Sequence, residues 1–274
     1  MSNPPVERRR YPRGRLKIVR DLLYRELRFI GRHVRGFWGA VVAFLAIGFG
    51  VGAAAGLVFT AFSHLVKVGA TQSFDNRVLE WFGAIRSPFL DRAMLEITSL
   101  GNAMVLFTMV GIASVFLWLT DHRCSAALLV IAVVGGDLLN DLLKAFYERP
   151  RPAIIEWRTE VSSQSFPSGH AMASMIAYSS VAYLVGRLES GPRLRAATWA
   201  IAILLILAVG TSRMYLGVHY PSDVVAGFMA GFAWTSFVAA TLTAIRFFAD
   251  RKPDIERLER DLDIEERRRE RKRP

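Results

Sequence analysis

Two histidines lie where apolar helices are predicted to begin, and one of them has a carboxylate nearby. His170 directly follows Pro167-Ser168-Gly169, and His219 precedes Asp223 by four positions. A carboxylate that binds one imidazole nitrogen fixes the tautomer and leaves the other nitrogen free as a nucleophile. A Ser-Gly turn that opens a helix presents free backbone N–H groups and the positive end of the helix dipole, and both bind anions. Each motif by itself is also explained by ordinary helix capping or chance spacing, whereas together they indicate chemistry on an anionic group.

Three basic residues accompany the histidines. Lys144 closes the third apolar stretch, Arg151 follows in a proline-rich turn, and Arg213 precedes the second histidine. Cations and helix-end amides stabilise a phosphoryl group, in which negative charge spreads over the equatorial oxygens. One histidine could attack phosphorus while the other protonates the departing oxygen. Asp137 and Asp141 share a helical face with Lys144 and could hold its side chain in place.

The residue pattern predicts no metal site and no cofactor. Only two of the five histidines belong to these motifs, and no set of aspartates and glutamates with metal-ligand spacing joins them. We therefore expect protein cations to stabilise the phosphate. The single cysteine, Cys124, excludes an intrachain disulfide.

Charged and apolar residues are segregated along the 274-residue chain. The chain is 52% hydrophobic and 22% charged, with a mean hydropathy of +0.28. Residues 1–36 hold eleven Lys/Arg against three acids, residues 246–274 are almost wholly charged, and the apolar stretches lie between them. This layout is typical of a membrane protein with solvated ends. The net charge of +11 thus indicates membrane topology and contact with anionic lipid, and we expect no nucleic-acid partner.

The apolar stretches predict an all-α integral membrane bundle of six transmembrane helices, since a span needs about 20 mainly apolar residues. The six candidates lie near 38–62, 102–119, 124–143, 169–186, 196–212 and 224–245. Basic residues at both termini, in the turn 121–123 and in the loop 187–195 place all of these segments in the cytoplasm. The motifs then face outward, in the loops 144–168 and 213–223.

Three segments are predicted along the chain. Residues 1–36 form a basic cytoplasmic or interfacial segment, residues 37–245 the membrane domain, and residues 246–274 a charged cytoplasmic tail. In the first segment, apolar residues recur at helical spacing among arginines, which predicts an interfacial amphipathic helix on an anionic leaflet; a disordered basic arm is the alternative. These apolar residues are Leu16, Val19, Leu23, Leu27, Ile30 and Val34. The stretch 71–98 is mixed polar and apolar, is interrupted at Pro88, and is expected to pack along the outer surface.

The motifs together resemble a family signature. The chain contains, complete and in order, Lys144-x6-Arg151-Pro152, Pro167-Ser168-Gly169-His170 and Ser212-Arg213-x5-His219-x3-Asp223. This three-part pattern resembles that of the type 2 phosphatidic acid phosphatase (PAP2) superfamily, in its membrane lipid phosphatase branch. The resemblance covers roughly residues 70–245 and implies six transmembrane helices, an active site at the outer membrane face and catalysis without a metal.

The resemblance also implies a role for each motif residue. His219 would be the nucleophile that forms a phosphohistidine, Asp223 would orient it, and His170 would be the general acid. The implied phosphate-binding residues are Lys144, Arg151, Ser168, Gly169 and Arg213.

The predicted function is hydrolysis of a lipid phosphate or pyrophosphate at the outer leaflet of a bacterial inner or plasma membrane. By the same resemblance, the leading substrates are undecaprenyl pyrophosphate, phosphatidylglycerophosphate and phosphatidic acid. A lipid phosphotransferase that uses the same phosphohistidine is an alternative, because acceptor choice depends on water exclusion around the site. A channel or transporter with intramembrane charges is a further alternative, although the charges here concentrate at one end of the bundle. The sequence leaves the oligomeric state open.

Overall fold

The computed structural model describes residues 50, 53–188 and 191–249, with residues 242–249 described by their backbone only. The predicted interfacial helix in residues 1–36 and the charged tail beyond residue 249 lie outside the described residues. Every regular element in the described part of the chain is a helix. These helices are α1 (Ala53–Lys67), α2 (Gln72–Ala84), α3 (Pro88–Ser99), α4 (Ala103–Leu119), α5 (Arg123–Tyr147), α6 (Gly169–Leu188), α7 (Pro192–Tyr215) and α8 (Pro221–Ala249).

Four of these helices, α5 to α8, are each long and apolar enough to cross a membrane. Two bent pairs add to this number. The axes of α1 and α2 meet at 79°, and those of α3 and α4 meet at 43°. Counting each bent pair as one span gives up to six spans among the described residues. The all-helical membrane architecture predicted from the sequence is thereby confirmed.

The stretch 71–98 forms two helices, α2 and α3, with the break at Pro88 that the sequence predicts. The Ser87 side chain accepts a hydrogen bond from the Leu90 amide (3.3 Å), and Pro88 occupies the first helical position. Ser is a favoured N-cap residue, and Pro fits the first turn because its missing N–H would have no partner there. Pro88 therefore starts α3 and also separates it from α2.

Helix α6 lies at the centre of the described bundle, where it packs on α5, α7 and α8. The buried core residues of α4 to α8 include Leu106, Val110, Leu129, Val133, Ile176, Ala177, Ala182 and Ile206. Large apolar side chains on the outside of the same helices include Ile112, Phe116, Leu119, Ile131, Leu138, Leu142, Ile203, Leu204 and Phe232. An apolar exterior around a packed interior suits helices that contact lipid.

A close approach of α8 to the beginning of α6 depends on Gly227. A Cβ atom at this position would lie 2.6 Å from the Ser168 carbonyl oxygen and 3.2 Å from the Met172 nitrogen, and the first of these distances is too short for a side chain. The missing side chain lets the two helices meet closely. At this contact the Ser168 amide donates a hydrogen bond to the Asp223 carbonyl (3.0 Å). The Pro-Ser-Gly-His turn and the start of α8 are thereby held together.

Candidate active site

The motif residues come from four helix ends at one end of the bundle. The end of α5 and the loop after it carry Lys144 and Arg151, and the start of α6 carries His170. Arg213 lies in the last turn of α7. The short connection to α8 carries His219. Four groups lie close enough to His170 to act on its charge, and they are Arg213, His219, Lys144 and Arg151. The structure therefore brings together residues that are up to 75 positions apart in the chain.

His219 is 2% exposed, and its two ring nitrogens face different groups. Its Nε2 lies 3.2 Å from Nη1 of Arg151. Because a guanidinium can only donate, Nε2 accepts this bond and the ring proton resides on Nδ1. Burial lowers the pKa of His219 to about 4, even though the nearby Asp223 carboxylate raises it. The imidazole is therefore neutral at physiological pH, with its nucleophilic lone pair on Nε2.

Asp223 is fully buried and lies on the Nδ1 side of the His219 ring. Its Oδ2 is 3.6 Å from Nδ1, which is longer than a direct hydrogen bond. Ser165 lies close to both groups, because its hydroxyl donates to Asp223 Oδ2 (2.5 Å) and its oxygen lies 3.5 Å from His219 Nδ1. The Tyr220 amide also donates to Oδ2 (2.8 Å). The carboxylate thus lies next to the ring, and the Ser165 hydroxyl lies close to both groups and connects them.

Ser165 was missed by the sequence reasoning. It lies two residues before the Pro167-Ser168-Gly169-His170 turn, and a serine at that place has no distinguishing chemistry of its own. Its backbone explains its placement, because the Ser165 amide donates to the Arg149 carbonyl (2.9 Å) and ties the loop to the end of α5.

The predicted phosphate-binding residues include buried polar atoms that have no hydrogen-bond partner in the described part of the chain. Among the described residues, the Ser168 hydroxyl and Nε of Arg213 are buried without a hydrogen-bond partner. Leaving such a group unpaired costs about 1–3 kcal/mol. Nη1 of Arg213 donates to the Thr98 hydroxyl (2.8 Å), which holds the guanidinium in place. An anion that accepts bonds from these atoms would remove the cost, so the arrangement fits a phosphate.

Arg151 and Lys144 are held by the loop between α5 and α6 and, for Arg151, also by the connection between α7 and α8. Arg151 donates from Nε to the Ser163 carbonyl (2.7 Å) and from Nη1 to the Val218 carbonyl (2.7 Å). Lys144 Nζ donates to the Ser163 hydroxyl (2.8 Å). It would also lie 3.5 Å from a Cβ atom on Gly169, so the ammonium group is beside the first turn of α6.

The two aspartates on α5 lie close enough to Lys144 to act on its charge, but they do not hold its side chain in place. Neither Asp137 nor Asp141 forms an ion pair with Lys144 in the described part of the chain, and both are exposed. The helical face was predicted correctly, but the lysine lies in the last turn of α5. Its long side chain can therefore extend past the helix end to the loop.

No group in the described part of the chain forms a hydrogen bond with the His170 ring. Its Cδ2 atom would be 3.3 Å from a Cβ atom on Gly101, so the ring packs against the turn between α3 and α4. The imidazole can therefore form a hydrogen bond with a bound group.

An open cavity of about 320 Å³ lies beside Arg151. Its lining residues are Glu148, Arg149, Pro150, Arg151, Trp157, Val161, Ser162, Ser163 and Gln164. The cavity contains both a cation of the site and apolar surface, which suits a charged group attached to an apolar molecule.

Known proteins resemble this chain in sequence and in fold. The family model of the PAP2 superfamily matches residues 125–247. Phosphatidylglycerophosphatase B of Bacillus subtilis is 36% identical over 179 residues, which cover 64% of this chain and 86% of that protein. Undecaprenyl-diphosphatase of Sulfolobus acidocaldarius is 27% identical over 194 residues, which cover 68% of this chain and 88% of that protein. The crystal structure of a transmembrane PAP2 type phosphatidylglycerolphosphate phosphatase from Bacillus subtilis matches with a TM-score of 0.66 and 30% identity, over 74% of this chain and 98% of that one.

Proposed function

The chain belongs to the PAP2 superfamily, and on that premise we propose that it hydrolyses a lipid phosphate or pyrophosphate through a phosphohistidine on His219. It is a membrane phosphatase of the PAP2 type. The relatives are named for phosphatidylglycerophosphate and undecaprenyl diphosphate, so these lipids and phosphatidic acid are the proposed substrates. The observation that supports the mechanism most strongly is the placement of the His219 ring, whose Nδ1 lies 3.6 Å from the Asp223 carboxylate and whose Nε2 lies 3.2 Å from the cation Arg151.

The proposed reaction has two steps. Nε2 of His219 attacks phosphorus, the bond from phosphorus to the lipid oxygen breaks, and His170 gives that oxygen its proton. Lys144, Arg151 and Arg213, with Ser168 and the first amides of α6, stabilise the equatorial oxygens. In the second step His170 takes a proton from water, the water oxygen attacks phosphorus, and inorganic phosphate leaves His219. Asp223 remains ionised and stabilises the positive imidazole ring of the intermediate.

We further propose six spans with both termini in the cytoplasm and the site on the extracytoplasmic face. The apolar stretch that ends in α1 would be the first span, and α4 to α8 would be the others. The charged turn 121–123 and the site lie at opposite ends of α5, so they would lie on opposite sides of the membrane. Arg123 in that turn supports a cytoplasmic location by the positive-inside rule.

Glu160 is exposed in the loop between α5 and α6, where a cysteine reports the side on which the site lies. In a Cys124→Ser background, Glu160→Cys is expected to react with a membrane-impermeant thiol reagent in intact cells. The natural chain provides the matched control, because Cys124 is exposed at the opposite end of α5. It should react only after permeabilisation. The reverse pattern would place the active site in the cytoplasm.

Phosphate release by the purified protein is expected to survive excess EDTA and to be inhibited by vanadate. The side chains proposed to bind phosphate are cations, which stabilise its charge without a metal, and vanadate can mimic five-coordinate phosphorus in the transition state. The assay measures inorganic phosphate from phosphatidic acid, phosphatidylglycerophosphate and undecaprenyl pyrophosphate, with and without an acceptor lipid. Activity that disappears on chelation and returns with Mg²⁺ would contradict the mechanism. Transfer to the acceptor lipid in place of phosphate release would assign the chain as a phosphotransferase.

A further inference from the structure

A buried ionic network connects α2 to the site, and its central residue is Arg149. From Nη1, Arg149 donates to Asp223 Oδ1 (2.6 Å). From Nη2, it donates to Asp75 Oδ2 (3.2 Å). Both carboxylates are fully buried, and the Arg149 side chain is 12% exposed. The guanidinium carbon also lies 4.2 Å from the centre of the Tyr220 ring, a distance that allows a cation–π contact.

Asp75 is fixed by α8 as well as by Arg149. Its Oδ1 accepts from the Ser222 amide (3.0 Å), and its Oδ2 accepts from the Ser222 hydroxyl (2.6 Å). The hydroxyl of Thr71, one turn earlier on the chain, also donates to Oδ2 (3.1 Å). An aspartate in a mixed polar and apolar stretch gives no sign in the sequence that it faces the catalytic carboxylate. Its complete burial in an ionic network suggests a function, because uncompensated buried charge is costly.

The net charge of the network affects how strongly a positive charge on the His219 ring is stabilised. Two carboxylates share one guanidinium, so the three groups carry one net negative charge beside the imidazole. If Asp75 were neutral, Arg149 would be paired with Asp223 alone and the net charge would be zero. A neutral network stabilises a positively charged imidazole ring less well, and low dielectric around buried groups increases the difference.

We propose that Asp75 is a positioning residue that acts through Arg149: by sharing this cation with Asp223, it keeps the Asp223 carboxylate oriented and electrostatically effective toward His219. The proposal rests on the phosphohistidine mechanism. Asp75 touches neither the reacting histidines nor the phosphate-binding side chains in the described structure. Its removal should therefore reduce the rate of the chemical step and leave substrate binding almost unchanged.

Asp75→Asn tests the proposal because asparagine keeps the size and the Oδ1 acceptor but removes the charge. We expect kcat to fall by about 10–100-fold, as for a small loss of alignment in a reacting group, with little change in KM. Adding Arg149→Gln to Asp75→Asn restores one net negative charge, and glutamine can still donate to Asp223. The double variant is therefore expected to recover most of the lost kcat, although it has lost one more native contact.

Asp91→Asn is the matched control, since Asp91 also pairs with an arginine, Arg158 (3.4 Å), and accepts from a hydroxyl, that of Tyr215 (2.7 Å). Its contacts lie outside the network, so kcat should stay near that of the wild type. Thermal unfolding of all variants in detergent shows whether a loss of activity follows a loss of folded protein.

Two outcomes would overturn the proposal: unchanged kcat in Asp75→Asn, or a double variant that is no faster than the single one. If Asp75→Asn alone does not fold, the double variant is compared with the wild type. Both networks carry one net negative charge, so the charge account predicts similar kcat values, and a loss in the double variant as large as that expected for Asp75→Asn would overturn it. Labelling of His219 in the wild type separates the two hypotheses. If labelled phosphate is trapped on His219 but the kcat values do not follow the predicted charges, only the role of Asp75 is contradicted. If no labelled phosphate is found on His219, the proposed mechanism is contradicted.

Discussion

His219→Ala is expected to abolish phosphate release from every lipid substrate, with a loss in kcat of about 10⁵-fold or more, as found when a covalent nucleophile is removed. Without Nε2 no covalent step remains, and neither His170 nor the cations can replace it. The loss should not depend on the leaving group, because attack on phosphorus is common to all substrates. The measurement is inorganic phosphate release from a monoester lipid and from a pyrophosphate lipid.

His122→Ala is the matched control for this replacement. His122 lies in the turn before α5, at the other end of that helix from the site, and its replacement should leave kcat unchanged. A His219→Ala protein that stays folded and retains more than about one hundredth of the wild-type rate would contradict a nucleophilic role, since the non-covalent part of such a site accounts for far less.

His170→Ala is expected to lower kcat/KM far more for lipid phosphates than for lipid pyrophosphates. A lipid alcohol leaves as an alkoxide whose conjugate acid has a pKa on the order of 15, near that of water, so it needs a proton in the transition state. A pyrophosphate lipid leaves as a phosphate monoester with a second pKa of about 6, so it can depart almost unaided. General-acid assistance is worth about 10²–10⁴-fold. Most of this rate enhancement should be lost for the lipid phosphate and little of it for the lipid pyrophosphate.

The measured quantity is the ratio of kcat/KM values for undecaprenyl pyrophosphate and phosphatidic acid in the wild type and the variant. This parameter reports the step in which the leaving group departs and not the later hydrolysis of the phosphohistidine, which is common to both substrates. The ratio should shift toward the pyrophosphate by at least about tenfold, a conservative share of the usual acid contribution. Pre-steady-state kinetics must show that chemistry limits both reactions. Equal losses on both substrates would mean that His170 does not protonate the leaving group.

The family and the helical class could be predicted from the sequence because they depend on local patterns. The apolar stretches 124–143 and 169–186 correspond to α5 and α6 within a few residues. Fixed spacing within each motif keeps residues such as His219 and Asp223 near one another whatever the rest of the fold. The membrane class and the superfamily therefore follow from the order and spacing of residues alone.

The network behind the site could not be predicted, because it depends on contacts between distant segments. Asp75 is 74 positions from Arg149 and 147 from Ser222, and no periodicity connects them. Ser165 owes its place between Asp223 and His219 to the path of a loop. Lys144 was assigned to the correct helix face, but its flexible side chain donates a hydrogen bond to Ser163 in the following loop, a contact that no local pattern predicts.

The measurement that tests the phosphohistidine most directly is chemical trapping of the phosphoenzyme. The terminal phosphate of a pyrophosphate lipid is radiolabelled, the reaction is stopped rapidly in alkali, and the labelled peptide is identified. The His170→Ala protein is the best sample, since this leaving group departs unaided while the water that should attack the intermediate is no longer activated. The mechanism predicts an acid-labile, alkali-stable phosphate on His219, in a larger amount than in the wild type. Continued phosphate release with no label on His219 in either protein would contradict it.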